Sequence, residues 1–567
     1  MKKLKRLHTL GLVTVVTISA LSLAGCGKEE SQASEKQAEA TLNLIQSSDP
    51  STIDVNDARN SNEFLVLNAT QEGLFRVRSE AGQDSLELAG AKSYDVSEDG
   101  TVYTFKLKDA KWSDGKAVIA QHYVDSIVRE LNPDNAFAYA TLGYDIVGAE
   151  EYNTGKGKAE DVGVKAIDDQ TLEITLKHEV SYFTKKLANV VFFPIRLDAI
   201  EKEGDAEKWK TDWQAQLSNG PFKISEWKTD SKLVLEKNED YYDADKVKLD
   251  GVELKTVSED ATVNSLFQSG QVDAVISAGA RVDDFDAIAE KSSHIKTSEQ
   301  AGPLVQFIAF NQHNGGTQGL LDNAKIRQAI SLSLNREDLN KIIDNEHAEP
   351  AYSFVPGSVS VDDQNYRDAV GDTFKAEAEK YNTPEKLQKL FQEGLAELGK
   401  STDLTKVNLS YLTVGSPEGN DTATYLQQVL PETLGIQVTI DGQPDSAAFI
   451  EKRNNNEYDL LANGWNGDYN DPSTYLDLWL SNGGFQKFYG GYASEEFDAL
   501  HHKLDNTSDT KERLQLYSDL EKKLLVDDWA VAPFLFNSDH IYVADNVEGL
   551  EFPVFGASIN FNFASKK

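Results

Sequence analysis

Residues Asn463 to Pro472 read Asn-Gly-Trp-Asn-Gly-Asp-Tyr-Asn-Asp-Pro: Gly464 and Gly467 flank Trp465-Asn466, and Asp468 and Asp471 flank Tyr469-Asn470. Glycine lets another backbone come close. Tryptophan and tyrosine give broad contact area with one polar end, and an aspartate adds a fixed negative charge. Together these types suit recognition rather than bond making. On chemistry alone, a tight turn with a half-buried tryptophan accounts for them equally well.

Signals for catalysis are scarce. The chain has no Gly-x-Ser-x-Gly elbow and no His-Glu-x-x-His pair, and Gly155-Lys156 is followed by Gly157 where a phosphate loop needs Ser or Thr. Among nine histidines only His501 and His502 adjoin. Helix neighbours point about 100° apart, so the pair reads as solvated surface rather than a chelate. Asp468 to Asp471 has the acids of a calcium loop without its glycine and late glutamate. With 93 acids, carboxylate pairs are too common to indicate glycosidase chemistry. No catalytic residue, metal site or cofactor is expected.

Composition narrows the class further. The chain has 567 residues, 56 Lys+Arg against 93 Asp+Glu, and a net charge of −37. That excess argues against a nucleic-acid partner, which requires cations against phosphates. Hydrophobic residues make up 40% and aromatics 9%, enough for real cores and, by length, for about three folding units. The single cysteine, Cys26, forbids an intrachain disulfide. Lys2, Lys3, Lys5 and Arg6 precede an uncharged apolar run from Leu10 to Leu23, the pattern of an export signal over 1–25. A retained short anchor is the alternative. Leu23-Ala24-Gly25-Cys26 resembles the bacterial lipoprotein box, which implies cleavage before Cys26 and lipid on its thiol. Residues 26–40 are polar and read as a tether. The expected location is the outer face of a membrane, held by lipid.

Around these residues the elements alternate. Tyr103, Phe105 and Leu107, then Leu172, Ile174 and Leu176, then Leu233 and Leu235 follow the two-residue period of strands. Tyr123, Val124, Ile127, Val128 and Leu131 share a helix face, as do Ile326, Ala329 and Ile330, and Leu514, Tyr517, Leu520 and Leu524. Asp509 with Glu512 offers a capping-box start to the last of these. Pro and Gly clusters at 218–221, 302–303, 314–316 and 482–484 predict turns. The class is mixed α/β.

Four ordered stretches resemble the oligopeptide-binding proteins of bacterial ABC importers, extracellular solute-binding family 5. They are 98–117 with Lys111-Trp112 and Asp114-Gly115, 218–227 with Gly220-Pro221-Phe222, 307–343 with Phe310-Asn311, and 464–472. The resemblance implies an α/β, two-lobed, hinged periplasmic-binding-protein type II fold with an inserted domain. Lobe 1 would hold 41–75, 192–310 and 525–567, the insert 76–191, and lobe 2 311–524. It also implies an extended peptide between the lobes, paired by its main chain with Gly464 to Asn466 and with Arg59, Asn60 and Ser61. Asp468 matches the acid that pairs with the peptide ammonium; Asn463, Tyr469 and Tyr139 complete the expected site. The implied partners are an oligopeptide and a permease, and the protein is expected to be a monomer.

Two departures bear on the ligand. Relatives can carry an arginine just before Gly-Trp that takes the peptide carboxylate; here Ala462 and Asn463 stand there. Near Arg59 some relatives place a glutamate facing the peptide's first residues. Competing readings are a receptor for a signalling peptide, a same-fold binder of sugar, nickel or haem, and an exported hydrolase or chaperone. Missing nucleophile and metal motifs count against the hydrolase.

Overall fold

The computed structural model describes residues 40–415, 417–481, 483 and 486–567. The export signal, Cys26 and nearly all of the tether lie outside the described residues. No helix among those described is long and apolar enough to cross a membrane.

The chain opens with strand β1 (Thr41–Gln46), which buries alternate residues including Leu42 and Leu44. Helix α1 (Ser61–Thr70) leads to a hairpin of β2 (Phe75–Glu80) and β3 (Gln83–Leu88). A four-stranded antiparallel sheet follows, from β4 (Ala91–Val96), β5 (Val102–Leu107), β6 (Val164–Asp168) and β7 (Thr171–Thr175), in the order β4-β5-β7-β6. Helix α2 (Ala120–Glu130) packs on β6 and β7 and buries Tyr123 and Ile127. Strands β8 (Phe222–Lys228), β9 (Lys232–Lys237) and β10 (Gly251–Thr256) then return to β1, in the order β1-β10-β9-β8. Strands β5, β7 and β9 and helix α2 stand where hydrophobic periodicity predicts them.

The motifs between these strands are structural. Trp112 is buried; its indole N–H donates to Nδ1 of His122 at 3.2 Å, and Asp114 pairs with Arg196 at 3.1 Å. Gly220 lies so close to the end of α1 that a Cβ there would sit 2.7 Å from the carbonyl carbon of Thr70. The Ser-Asn-Gly-Pro-Phe motif thus clamps the start of β8 to α1.

A larger sheet contains β11 (Ala274–Ser277), β12 (Ile295–Phe310), β13 (Ala348–Pro350), β16 (Asn408–Val414), β17 (Gln437–Gln443), β18 (Leu460–Asn466) and β19 (Val531–Ala544); β14 (Ser360–Val361) and β15 (Gln364–Asn365) form a separate small hairpin. Its order is β11-β19-β12-β18-β16-β17, with β13 also on β19. Helix α3 (Ala324–Ser333) is capped by Asn323, and α4 (Thr510–Lys522) by Asp509, which accepts the Glu512 N–H at 2.9 Å.

Strands β12 and β19 pass from one hydrophobic core to the next. The first part of β12 pairs with the end of β19 beside β11; past a register shift between Ala301 and Val305 it pairs with β19 and β18 together. Phe307, Ile308 and Phe310 then enter the same core as Ile326, Tyr411 and Leu535, whereas Leu44, Phe105 and Leu254 belong to a second core and Ile295 packs on a third. Gly302 and Pro303 occupy that shift, so 302–303 is a bulge within a strand and not the turn expected. A proline has no N–H to give a ladder, and a bulge is where a strand accommodates that loss.

Candidate functional site

The tryptophan segment continues a strand. Strand β18 begins at Leu460 and extends through Trp465 to Asn466, so Asn463 to Asn466 is extended and not the tight turn that chemistry alone allowed. One edge pairs with β12, where Gly464 faces Gln306 and Asn463 faces Phe307. On the other edge β16 pairs only at Leu460 and Leu461. Among the described residues no strand covers that edge along Ala462 to Gly464. The Gly464 N–H is meanwhile bonded to Oδ1 of Asn463 at 2.9 Å. A Cβ on Gly464 would lie 2.8 Å from Cδ1 of Leu304, so a larger residue here would require that side chain to move. Asn466 is exposed, and the indole N–H of half-buried Trp465 donates to the Thr474 carbonyl at 2.9 Å.

The chain then turns sharply. A Cβ on Gly467 would meet the Tyr475 hydroxyl at 2.5 Å, so only glycine fits at this bend. Asp468 donates its N–H to Thr474 Oγ1 at 2.9 Å, and its carboxyl Oδ1 accepts the Tyr139 hydroxyl at 2.9 Å. Tyr469 is buried; its ring stacks on Tyr182 with centroids 5.8 Å apart, and its hydroxyl meets Ser473 Oγ at 3.1 Å. Lys185 donates to the Asn470 carbonyl at 2.6 Å. Asp471 is fully buried and ion-paired with Arg513 at 2.5 Å, while Tyr517 donates to its other oxygen at 2.6 Å. The turn is therefore braced from behind by α4 and touched in front by Tyr139, Tyr182 and Lys185 from the 76–191 stretch.

Asp468 lies deep in the protein but keeps part of its surface on a cavity of about 310 Å³. Burial pushes its carboxyl up to about 7, against hydrogen bonds from Tyr139 and Thr474 and the charge of Lys186. The same burial, and then Asp468 itself, raises the Tyr139 phenol, which stays protonated as a donor. A carboxyl that holds its proton more tightly when folded adds stability that is complete below about pH 4 and is lost as pH rises through about 7. An ammonium guest has the opposite dependence, because it needs the carboxylate. Its affinity is expected to rise with pH up to about 7, and to fall above about 8 as the guest's α-amine deprotonates. Titration calorimetry across that range checks this; an affinity flat between about pH 5 and 7 would mean the acid is already ionised.

Arg59, Asn60 and Ser61 form an exposed turn into α1. Buried Glu63 accepts the N–H groups of Arg59 at 2.5 Å and of Asn60 at 3.1 Å, and a hydroxyl from Ser51. Two of the amides expected to meet a ligand are therefore already bonded. One turn along, Phe64 tilts against Tyr139 with centroids 6.4 Å apart, which joins α1 to the Asp468 site. His501 is not solvated as expected: it is nearly enclosed and bonds Asp477 at 2.7 Å, which raises its pKa despite burial. Among the described residues no group of three or more His, Cys, Asp or Glu is placed to hold a metal ion.

A family model described as "Bacterial extracellular solute-binding proteins, family 5 Middle" matches residues 86–487. The chain belongs to that family. Two relatives from Bacillus subtilis (strain 168) are similar to this member nearly end to end. "Oligopeptide-binding protein OppA" is 31% identical over 562 residues, 98% of each chain, and "Dipeptide-binding protein DppE" is 31% identical over 551 residues, 95% of this chain and 96% of that one. The structure of "Listeria monocytogenes OppA bound to peptide" superposes with a TM-score of 0.77 at 28% identity, covering 94% of this chain and 99% of that one. As the family requires, the fold is two-lobed with mixed α and β layers.

In this family 5 member the structure brings Asp468, Tyr139, Tyr469 and Trp465 together, and leaves Arg59 to Ser61 at the neighbouring helix start. Sequence reading missed Arg513, Lys185, Tyr182 and Thr474. Asp509 and Glu512 marked the start of α4, but nothing local marks Arg513 as the partner of an acid in a distant turn.

Proposed function

We propose that this protein captures oligopeptides between its lobes and delivers them to an ABC permease. The observation that carries the reading is a carboxyl group, braced by Tyr139, at the end of a strand edge that no other strand covers along Ala462 to Gly464. An extended peptide pairing there adds a strand, so affinity comes from its main chain and tolerates varied side chains. Its carbonyl replaces the Asn463 side chain on the Gly464 N–H, and its ammonium docks on Asp468. Ligand touching both lobes favours the closed form by its differential affinity for it. In this reading the lobes and the insert follow the divisions the resemblance implies, except that β12 and β19 cross between the lobes and serve as the hinge. The protein works as a monomer at the outer membrane face, anchored by lipid on Cys26, and performs no chemistry on its ligand. The names of its relatives, binders of oligopeptides and dipeptides, support this reading.

Mass spectrometry of what the purified protein releases on denaturation tests it. Peptides of a defined length range are the expected result. Stoichiometric release of a sugar or haem instead would overturn the proposal.

A further inference from the structure

Separately packed parts of the chain also meet away from the cleft, through titratable groups. Ile343 belongs to the core that holds Phe307, whereas Phe285 and Tyr542 belong to the third core. A loop, residues 344–347, leaves the first of these and reaches the opening turn of the helix that carries Phe285, Val282–Ala289. Two of its side chains end on one carboxylate there. Asn345 donates to Oδ2 of Asp283 at 2.9 Å, and Nε2 of His347 meets Oδ1 at 3.0 Å. The loop bends sharply to make this reach: Asn345 and Glu346 have φ of 49° and 70°, two successive left-handed residues without a glycine. Such backbone persists only where its surroundings hold it. The Glu346 N–H donates to the Asn340 carbonyl at 3.2 Å and the His347 N–H to that of Asp344 at 2.8 Å.

A second imidazole stands beside the first. The rings of His347 and His540 meet edge to face with centroids 5.2 Å apart. His540 lies on β19 in register with Ser277 of β11 and Glu299 of β12, so these three side chains share one face of the sheet. Its Nε2 and the Ser277 hydroxyl are enclosed without a hydrogen-bond partner, and a Glu299 oxygen stands 3.8 Å from that Nε2. Negative charge surrounds the pair. Asp283 and Asp286 come from the helix, Glu299 from β12, Asp344 and Glu346 from the loop and Glu349 from β13. Asp286 accepts the Tyr542 hydroxyl at 2.7 Å, and Arg281, just before the helix, is turned to Asp260 at 3.0 Å.

Imidazole is the side chain whose ordinary titration, near about pH 6.5, falls in the physiological range. A neutral His347 gives Asp283 an ordinary hydrogen bond; a protonated one gives a charge-assisted bond, roughly twice as strong. The contact with His347 first, then that with Asn345, holds Asp283 below the usual carboxylate range, so the acid stays ionised while the ring changes. A proton on His540 lets that ring donate to Glu299. Two protonated rings repel each other, and the surrounding acids offset that repulsion. The bond from loop to helix is therefore strongest below about pH 6.5 and weakens above it. In the same structure Tyr139 reaches Asp468 and Lys185 reaches the Asn470 carbonyl, so contacts across the cleft are made while the loop is docked.

We propose that His347, with His540 beside it, is a pH-sensitive tie at the hinge that favours the closed form in acid. The proposal rests on the reading of β12 and β19 as the hinge between lobes.

The test is small-angle X-ray scattering of the unliganded protein between about pH 5 and 8. Asp468 also titrates in that range, so the comparison is made in Asp468→Asn, where the cleft acid is gone. That protein is expected to contract as pH falls through about 6.5. Adding His347→Gln is expected to abolish the contraction. Glutamine keeps an N–H for Asp283 but takes up no proton, so the two proteins should have equal radii of gyration at about pH 8. Asp283→Asn in place of His347→Gln should abolish the contraction too, from the other side of the contact. A contraction that survives both substitutions, or a radius that does not change with pH in Asp468→Asn, would overturn the tie. Neither result involves peptide, so peptide capture would stand. A wild-type radius that also stays fixed when peptide is added would remove the hinge, and with it the reading on which this proposal rests.

Discussion

Asp468→Asn is expected to weaken binding of free-amine peptides by roughly 10–100-fold, while N-acetylated peptides of the same sequence bind it and the wild type almost equally. The substitution keeps the shape of the side chain and an oxygen for the Tyr139 hydroxyl, which now bonds Oδ1 at 2.9 Å. It removes only the charge. In a site where burial already resists ionisation, a carboxylate that meets an ammonium gains a charge-assisted bond worth about 1.5–3 kcal/mol net. The neutral amide offers the ammonium an ordinary hydrogen bond. The variant should also lose the rise of affinity with pH up to about 7, since the group that titrates is gone. Calorimetry of paired free and acetylated peptides measures both effects. Equal affinity of wild type and variant for the free-amine peptide would exclude Asp468 as its anchor.

Much of this site was legible because its parts are close in sequence. Gly464, Trp465, Gly467 and Asp468 form one run whose residue types already suit recognition, and the family resemblance ordered them. What composition could not show is direction. The alternation expected of a half-buried strand is absent from Asn-Gly-Trp-Asn, because neither face of the strand is fully buried there. Gly302 and Pro303 misled for a related reason. They signal a turn locally, but two long strands that pass from one core to the next hold them in line. Tyr139 was placed by resemblance alone; its bond to Asp468 spans 329 residues of sequence. Arg59 to Ser61 illustrates the opposite case. The segment is near the site, yet Glu63, two to four residues on, closes a capping box and takes its amides. A local preference that sequence can suggest, an acid at the third helical position, was there to be read.

Arg513→Met is expected to cost about 3–5 kcal/mol of local stability, and peptide affinity with it, although Arg513 is not expected to touch the ligand. Its guanidinium is buried between Asp471 at 2.5 Å and Asp362 at 3.2 Å, and Asp471 first, then Tyr517, hold its pKa above the ordinary value against burial. Removing it leaves Asp471, wholly enclosed, with the hydroxyl of Tyr517 and the N–H of Ser473 but no ion-pair partner, only the more distant charges of Lys185 and Lys186. An uncompensated buried charge is the costly outcome; losing both charges is cheaper. The double variant Arg513→Met, Asp471→Leu should therefore be more stable than Arg513→Met alone. Because the protein has more than one hydrophobic core, one global unfolding curve would blur the effect. Amide hydrogen exchange over 467–476 reads it directly, with faster exchange expected there and little change in β4 to β7. The turn carries Asp468 on the same short loop, so loosening it spreads the carboxyl over more positions than an ammonium can use, and affinity should fall even for a charge left intact. If exchange and affinity both stayed at wild-type values in Arg513→Met, the brace would be dispensable, and the position of Asp468 would have to be set by Thr474 and Tyr139 alone.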